Sequence, residues 1–188
     1  DVAPSRGLGD VYKRQVLAHA KHRIAWLLIL MFSATITGTI ITRYENAFAA
    51  IPLLVSFIPM LMDTGGNCGS QSSTLIIRGI ALGEIQFSDL FRVMFKEFRV
   101  SLIVGVALAL ANGIRILIMY KNAGLALVIG LSLVATIVIS KLIGCVLPLI
   151  AKKLHMDPAI MASPLITTLV DTCSILIYFN IATQVFQL

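Results

Sequence analysis

The chain has 188 residues, 58% hydrophobic and 13% charged, with a formal net charge of +6 and a mean hydropathy of +0.94. A soluble domain of this size cannot hide that much apolar surface, so the solvent for most of the chain is lipid. The basic residues sit in short clusters between apolar runs, which argues against a nucleic-acid partner. Cys68, Cys145 and Cys173 are scattered and form neither a disulfide framework nor a metal motif.

Residues 1–15 differ from everything after them. They lack an apolar period and the apolar core of a signal peptide, and they read as a non-native-looking, disordered leader. Residues 16–188 then read as one transmembrane domain with five spans, each an apolar run of bilayer length. The spans are expected at about 23–42, 48–77, 100–119, 123–150 and 158–186. Between the second and third, Gly83–Arg99 carries Ile85, Phe87, Leu90, Phe91, Met94, Phe95 and Phe98 at helical spacing among charges, the pattern of an interfacial helix. The predicted fold is therefore all-α and integral to the membrane. Lys21, Arg23, Arg78, Arg92, Lys96, Arg99, Lys152 and Lys153 cluster on one set of connections, against Arg43, Arg115 and Lys121 on the other. The positive-inside rule then puts the N-terminus in the cytoplasm and the C-terminus outside, in a multi-pass protein of the cell membrane.

Two spans carry polar stripes. In the second, Asp63, Asn67, Gln71 (or Ser70), Thr74 and Arg78 recur every three to four residues around three glycines. In the fifth, Ile160, Pro164, Thr167, Asp171, Ser174 and Tyr178 share one side, with Ser163 at its edge. Pro164 removes a backbone hydrogen bond there, as is common where a helix lines a cavity. Asp171 stands out. A carboxylate near the middle of a span costs on the order of 2.5–3.5 kcal/mol, which points to an aqueous ion pathway. The alternative is a stripe that only joins helices through Ser and Thr. Carboxylate, amide and hydroxyl oxygens without a Cys/His cluster suit Mg²⁺, a hard cation that keeps its inner waters. One such Asp per chain is sparse, and a two-fold dimer with the pore on its axis would double every ligand.

The remaining groups read as structural. Asp157–Pro158 is an N-cap followed by proline at the first helical position, with a metal at the cytoplasmic mouth as the competing reading for Asp157. Glu84, Asp89 and Glu97 are acidic groups near that mouth. Lys141 reads as a lysine snorkelling to the cytoplasmic face or pairing with a carbonyl. His19, His22 and His155 are isolated, and Trp26 is an interfacial anchor. No nucleophile motif, phosphate loop or pair of carboxylates at catalytic spacing is present, so the chain is not read as an enzyme.

The run Ile58-Pro59-Met60-Leu61, then Gly65-Gly66-Asn67-Cys68-Gly69-Ser70-Gln71-Ser72 and Ile77-Arg78-Gly79, resembles the membrane domain of MgtE-type magnesium channels. So does Asp157-Pro158-Ala159 followed by Pro164-Leu165-Ile166-Thr167-Thr168-Leu169 and Asp171. The resemblance implies a homodimer with a pore between the second and fifth helices and Mg²⁺ as the transported ion. It implies that Asp171 is the Mg²⁺-selecting carboxylate, that Asn67 and Thr167 line the pore, and that Ile160 forms an apolar constriction. Ser163 and Thr167 stand where other members carry Asn and Ala. Full-length members carry cytoplasmic CBS-type regulatory domains, which are expected to be absent here. The function expected is a Mg²⁺-selective channel for magnesium uptake. A coupled carrier exchanging Mg²⁺ for Na⁺ or H⁺ and a non-conducting scaffold subunit are the alternatives.

Overall fold

The computed structural model describes residues 5–155 and 158–187. Side chains are described from 16 onward, apart from 17–19, 22–23, 25–26, 29, 46–48 and 159–163. Among the described residues every regular element is helical: α1 (Ser5–Arg43), α2 (Glu45–Ala50), α3 (Ile58–Ala81), α4 (Leu90–Tyr120), α5 (Ala123–Lys153) and α6 (Pro158–Phe186), with 3₁₀ turns at Pro52–Phe57 and Phe87–Asp89.

The chain divides into two units, residues 1–35 and 36–188. The first is the leading part of α1, whose Ile24, Leu27, Leu28, Met31 and Phe32 are exposed. The helix begins at Ser5, inside the segment expected to be disordered.

The second unit holds the remaining helices. Pro52 has no N–H to donate and disfavours the helical region for the residue before it. Ile51 accordingly sits at φ −135°, ψ 81°, and the chain turns there, so the second expected span is broken. Its membrane-length part is α3, which starts at Ile58 with Pro59 in its first turn. Leu54 and Phe57 from the turn are buried with Leu61, Ile129, Ile175 and Phe179 in the main apolar core. Tyr178 Oη donates to the Leu54 carbonyl oxygen at 2.8 Å, which fastens the turn to α6.

α4 is one continuous helix of 31 residues. The amphipathic segment and the third span were expected to be separate elements, but no proline and no turn lies between them, so the helical ladder runs through. Its C-terminus is set by Lys121 at φ 49°, whose N–H donates to the Leu117 carbonyl. Asn122 then caps α5, its Oδ1 accepting from the Leu125 N–H at 2.9 Å. The result is a tight α4–α5 hairpin.

Among the described residues, three stretches are long and apolar enough to cross a membrane: Phe87–Tyr120, Ala123–Lys153 and Pro164–Phe186. α3 falls short because its polar run dilutes it, although it is packed between α5 and α6. The α3–α5 contact is made by glycines. A methyl group on Gly144 would overlap the Gly69 carbonyl, and one on Gly65 would come within 2.8 Å of both Val170 Cγ1 and Thr136 Cγ2. The two backbones meet directly, as small residues allow in lipid.

Candidate functional site

On the face of α3 adjoining the Gly69–Gly144 contact, a cavity of about 560 Å³ is lined by Pro59, Met62, Asp63, Gly66, Asn67, Ser70, Thr167 and Asp171. Every one of these residues belongs to α3 or α6. Asp63, Asn67 and Ser70 follow one another by four and three residues, with Gly66 beside Asn67, so a single helical face presents them. Thr167 and Asp171, four apart, do the same from α6.

Gly66 sets how closely the two walls approach, since a methyl group there would lie 3.3 Å from Thr167 Cγ2. The Thr167 hydroxyl donates to the Pro164 carbonyl at 2.9 Å, and Thr168 donates to the same oxygen at 3.1 Å. Thr167 therefore presents lone pairs to the cavity while its proton is held by the backbone. Thr172 exchanges a 2.9 Å hydrogen bond with Thr37 of α1, which ties α6 down on its far side.

Asp63 is exposed and Asp171 is half-buried. Among the described residues the Lys141–Glu97 pair is the one ion pair, so neither cavity carboxylate has a basic partner. The walls thus carry two carboxylates, one amide and two hydroxyls without a resident counter-charge. No three His, Cys, Asp or Glu side chains converge among the described residues. That donor set does not suit a stripped transition metal. It suits a hard cation bound through retained water.

The sequence-predicted residues are partly brought together. Asp63, Asn67, Thr167 and Asp171 share the cavity, whereas Gln71 is exposed and does not line it. Ser70 takes its place. Both lie within a helical turn of Asn67, and the face toward α6 falls on the three-residue step. Asp157 and the side chains of Ile160 and Ser163 lie outside the described residues. Met62 was not singled out from the sequence, since its apolar character gave no signal for it, and Pro59 was noted only as part of the family-like run.

Glu97 and Lys141 are corrected by the structure. Glu97 is not at an exposed mouth and Lys141 does not snorkel to a surface. Each is only 5% exposed, and their charged groups lie 3.5 Å apart. Of the other acidic groups, Glu84 is exposed, and Asp89 Oδ2 accepts from the Gln86 N–H at 3.0 Å, which orders the turn before α4.

The profile of a family described as divalent cation transporter, MgtE, matches residues 58–181. The magnesium transporter MgtE of Bacillus subtilis is 40% identical over 164 residues, 87% of this chain and 36% of that protein. Proteins of the same name from Thermus thermophilus and Enterococcus faecalis are 36% and 34% identical, over 85% and 89% of this chain. The chain spans little more than a third of the length of these relatives. The matched segment contains both cavity walls, and the chain belongs to the MgtE family of divalent cation transporters.

Proposed function

We propose that the cavity is one wall of a Mg²⁺-selective pore that carries magnesium across the membrane. The observation that carries this reading is the grouping of Asp171 with Asp63, Asn67, Ser70 and Thr167 around one cavity, without a basic partner among the described residues. Carboxylates left without counter-charge attract a cation, and amide and hydroxyl oxygens accept hydrogen bonds from its water shell. The similarity to three magnesium transporters supports Mg²⁺ as the ion.

Asp171 is the selecting group in this reading. It lies near the middle of α6 and is half-buried, while Asp63, near the start of α3, is exposed and acts as a weaker attractor. Two helices of one chain form only a partial wall. A symmetric homodimer, with α3 and α6 of each copy facing the axis, would close the conduit and bring two Asp171 carboxylates together. The bilayer is the medium, with the N-terminus cytoplasmic and the C-terminus outside, as the distribution of Lys and Arg suggests. Asp157, Ile160 and Ser163 belong to the same pathway in this reading, toward its cytoplasmic end.

The test is the full chain in a planar bilayer with Mg²⁺ as the charge carrier. Discrete unitary openings that lose their preference for Mg²⁺ over Na⁺ in Asp171→Asn support the proposal. Na⁺-dependent Mg²⁺ flux without openings would replace it with a coupled carrier. No ion movement at all would leave a scaffold.

A further inference from the structure

Behind the cavity, on the buried side of α3, three polar groups from three helices meet around one carboxylate oxygen. Ser72 Oγ on α3 donates to Glu97 Oε2 on α4 at 2.7 Å. Lys141 Nζ on α5 donates to Ser72 Oγ at 3.2 Å and lies 3.5 Å from the same Glu97 oxygen. Ser72 is fully buried, and the two charged residues nearly so. We propose that this triad is a positioning latch for the pore: it fixes the rotation of α3 and so sets where Asp63, Asn67 and Ser70 stand relative to Asp171.

The geometry makes the link. At about 100° per residue, Ser72 lies roughly opposite Asp63 and Ser70 around α3, and about 140° from Asn67. The cavity wall and the latch are thus two faces of one rigid rod. Turning α3 by about 20° carries an atom ~5 Å from its axis through roughly 2 Å. A 2.7 Å hydrogen bond cannot survive that, and an ion-facing oxygen displaced that far no longer meets a hydrated ion in the same place. The Gly69–Gly144 contact fixes how close α3 and α5 come. The latch adds α4, whose packing is otherwise mainly against α5.

An ion pair is a costly way to glue helices, because an apolar trio of similar volume is often as stable or more so. Its distinguishing property is that only one arrangement satisfies it. If α3 turns or shifts, the Glu97–Lys141 pair loses the Ser72 hydroxyl that bridges it, and hydrogen-bonding capacity on two charged groups is left unfilled in a dry interior. That is the property needed where a few tenths of an ångström decide which ion is recognised.

The inference rests on the pore reading, and the experiment separates the two. Mg²⁺ and Na⁺ permeation would be compared in wild type, Glu97→Gln/Lys141→Met, Ser72→Ala and the exchanged pair Glu97→Lys/Lys141→Glu, with melting curves for each. The double-neutral variant should fold, with a melting temperature near wild type, yet lose about tenfold in its preference for Mg²⁺. Ser72→Ala should lose a smaller part, and the exchanged pair should recover some of it. A folded double-neutral variant with wild-type preference overturns the latch. If that variant does not fold, Ser72→Ala decides, because it keeps both charges and removes one hydroxyl; unchanged preference in it overturns the latch equally. Wild-type protein that carries no Mg²⁺ would instead overturn the pore reading.

Discussion

Two carboxylate sites flank α3, and they treat charge in opposite ways. On the buried side Glu97 holds a permanent ammonium partner and a hydroxyl. On the cavity side Asp171 and Asp63 have no basic partner among the described residues. A carboxylate with its cation built into the chain is committed to structure. In the proposed pore, one without keeps its field for an ion that comes and goes. The same residue type on the same bundle thus serves cohesion or traffic according to whether a lysine was placed within reach.

Both sites hang from α3, so the largest effect should come from dislodging that helix. Gly144→Val would drive two methyl groups into the Gly69 backbone, which cannot rotate away. The expected outcome is loss of monodisperse protein on size exclusion in detergent, with both sites gone. A well-folded variant would show that the backbones need not touch.

The next effect tests the contrast directly. Lys141→Met leaves Glu97 buried without its cation and should cost on the order of 3–5 kcal/mol, seen as a large fall in melting temperature. Asp171→Asn removes a charge that has no basic partner among the described residues and should leave the melting temperature unchanged or slightly higher. Its loss appears instead in Mg²⁺: protection of the fold by millimolar Mg²⁺ should weaken about tenfold. Equal destabilisation by the two substitutions would erase the distinction between the sites.

A finer test lies within the cavity wall. Ser70→Ala should reduce Mg²⁺ preference measurably in reversal potentials, by a factor of about two to five for one lost hydroxyl, while Gln71→Ala should not. The opposite ranking would return the wall to the four-residue step. The smallest effect belongs to Tyr178→Phe, which removes the hydrogen bond to Leu54 away from both sites. It should cost about 1 kcal/mol in stability with Mg²⁺ preference intact.

The cavity was legible because it obeys a local rule. Asp63 with Asn67, and Thr167 with Asp171, can each be found by stepping four residues along one helix, and polar groups at that spacing in apolar runs have few other uses. The choice between Ser70 and Gln71 was not legible, because it depends on how α3 is turned against α6. Nor was the latch. Glu97 and Lys141 are 44 residues apart, and nothing near either announces the other; from sequence each had its own bland explanation. Spans were read from runs of apolar residues, so the break at Pro52 and the continuity through Arg99 were both missed. The first needed the steric effect of one proline to be weighed against a long apolar run. The second needed the absence of any breaker to be weighed against a change of polarity.

The contact between Gly69 and Gly144 also bears on how such a conduit could open. Two backbones in contact leave no side-chain layer between them to shear, rotate or repack, so α3 and α5 can be displaced only as a single strut. With α4 hairpinned to α5 by Lys121 and Asn122, that strut extends to three helices. In the proposed pore, widening of the ion path would then fall to α6, whose ladder is interrupted at Pro164, where a small bend would swing Thr167 and Asp171 together against a wall that stays still.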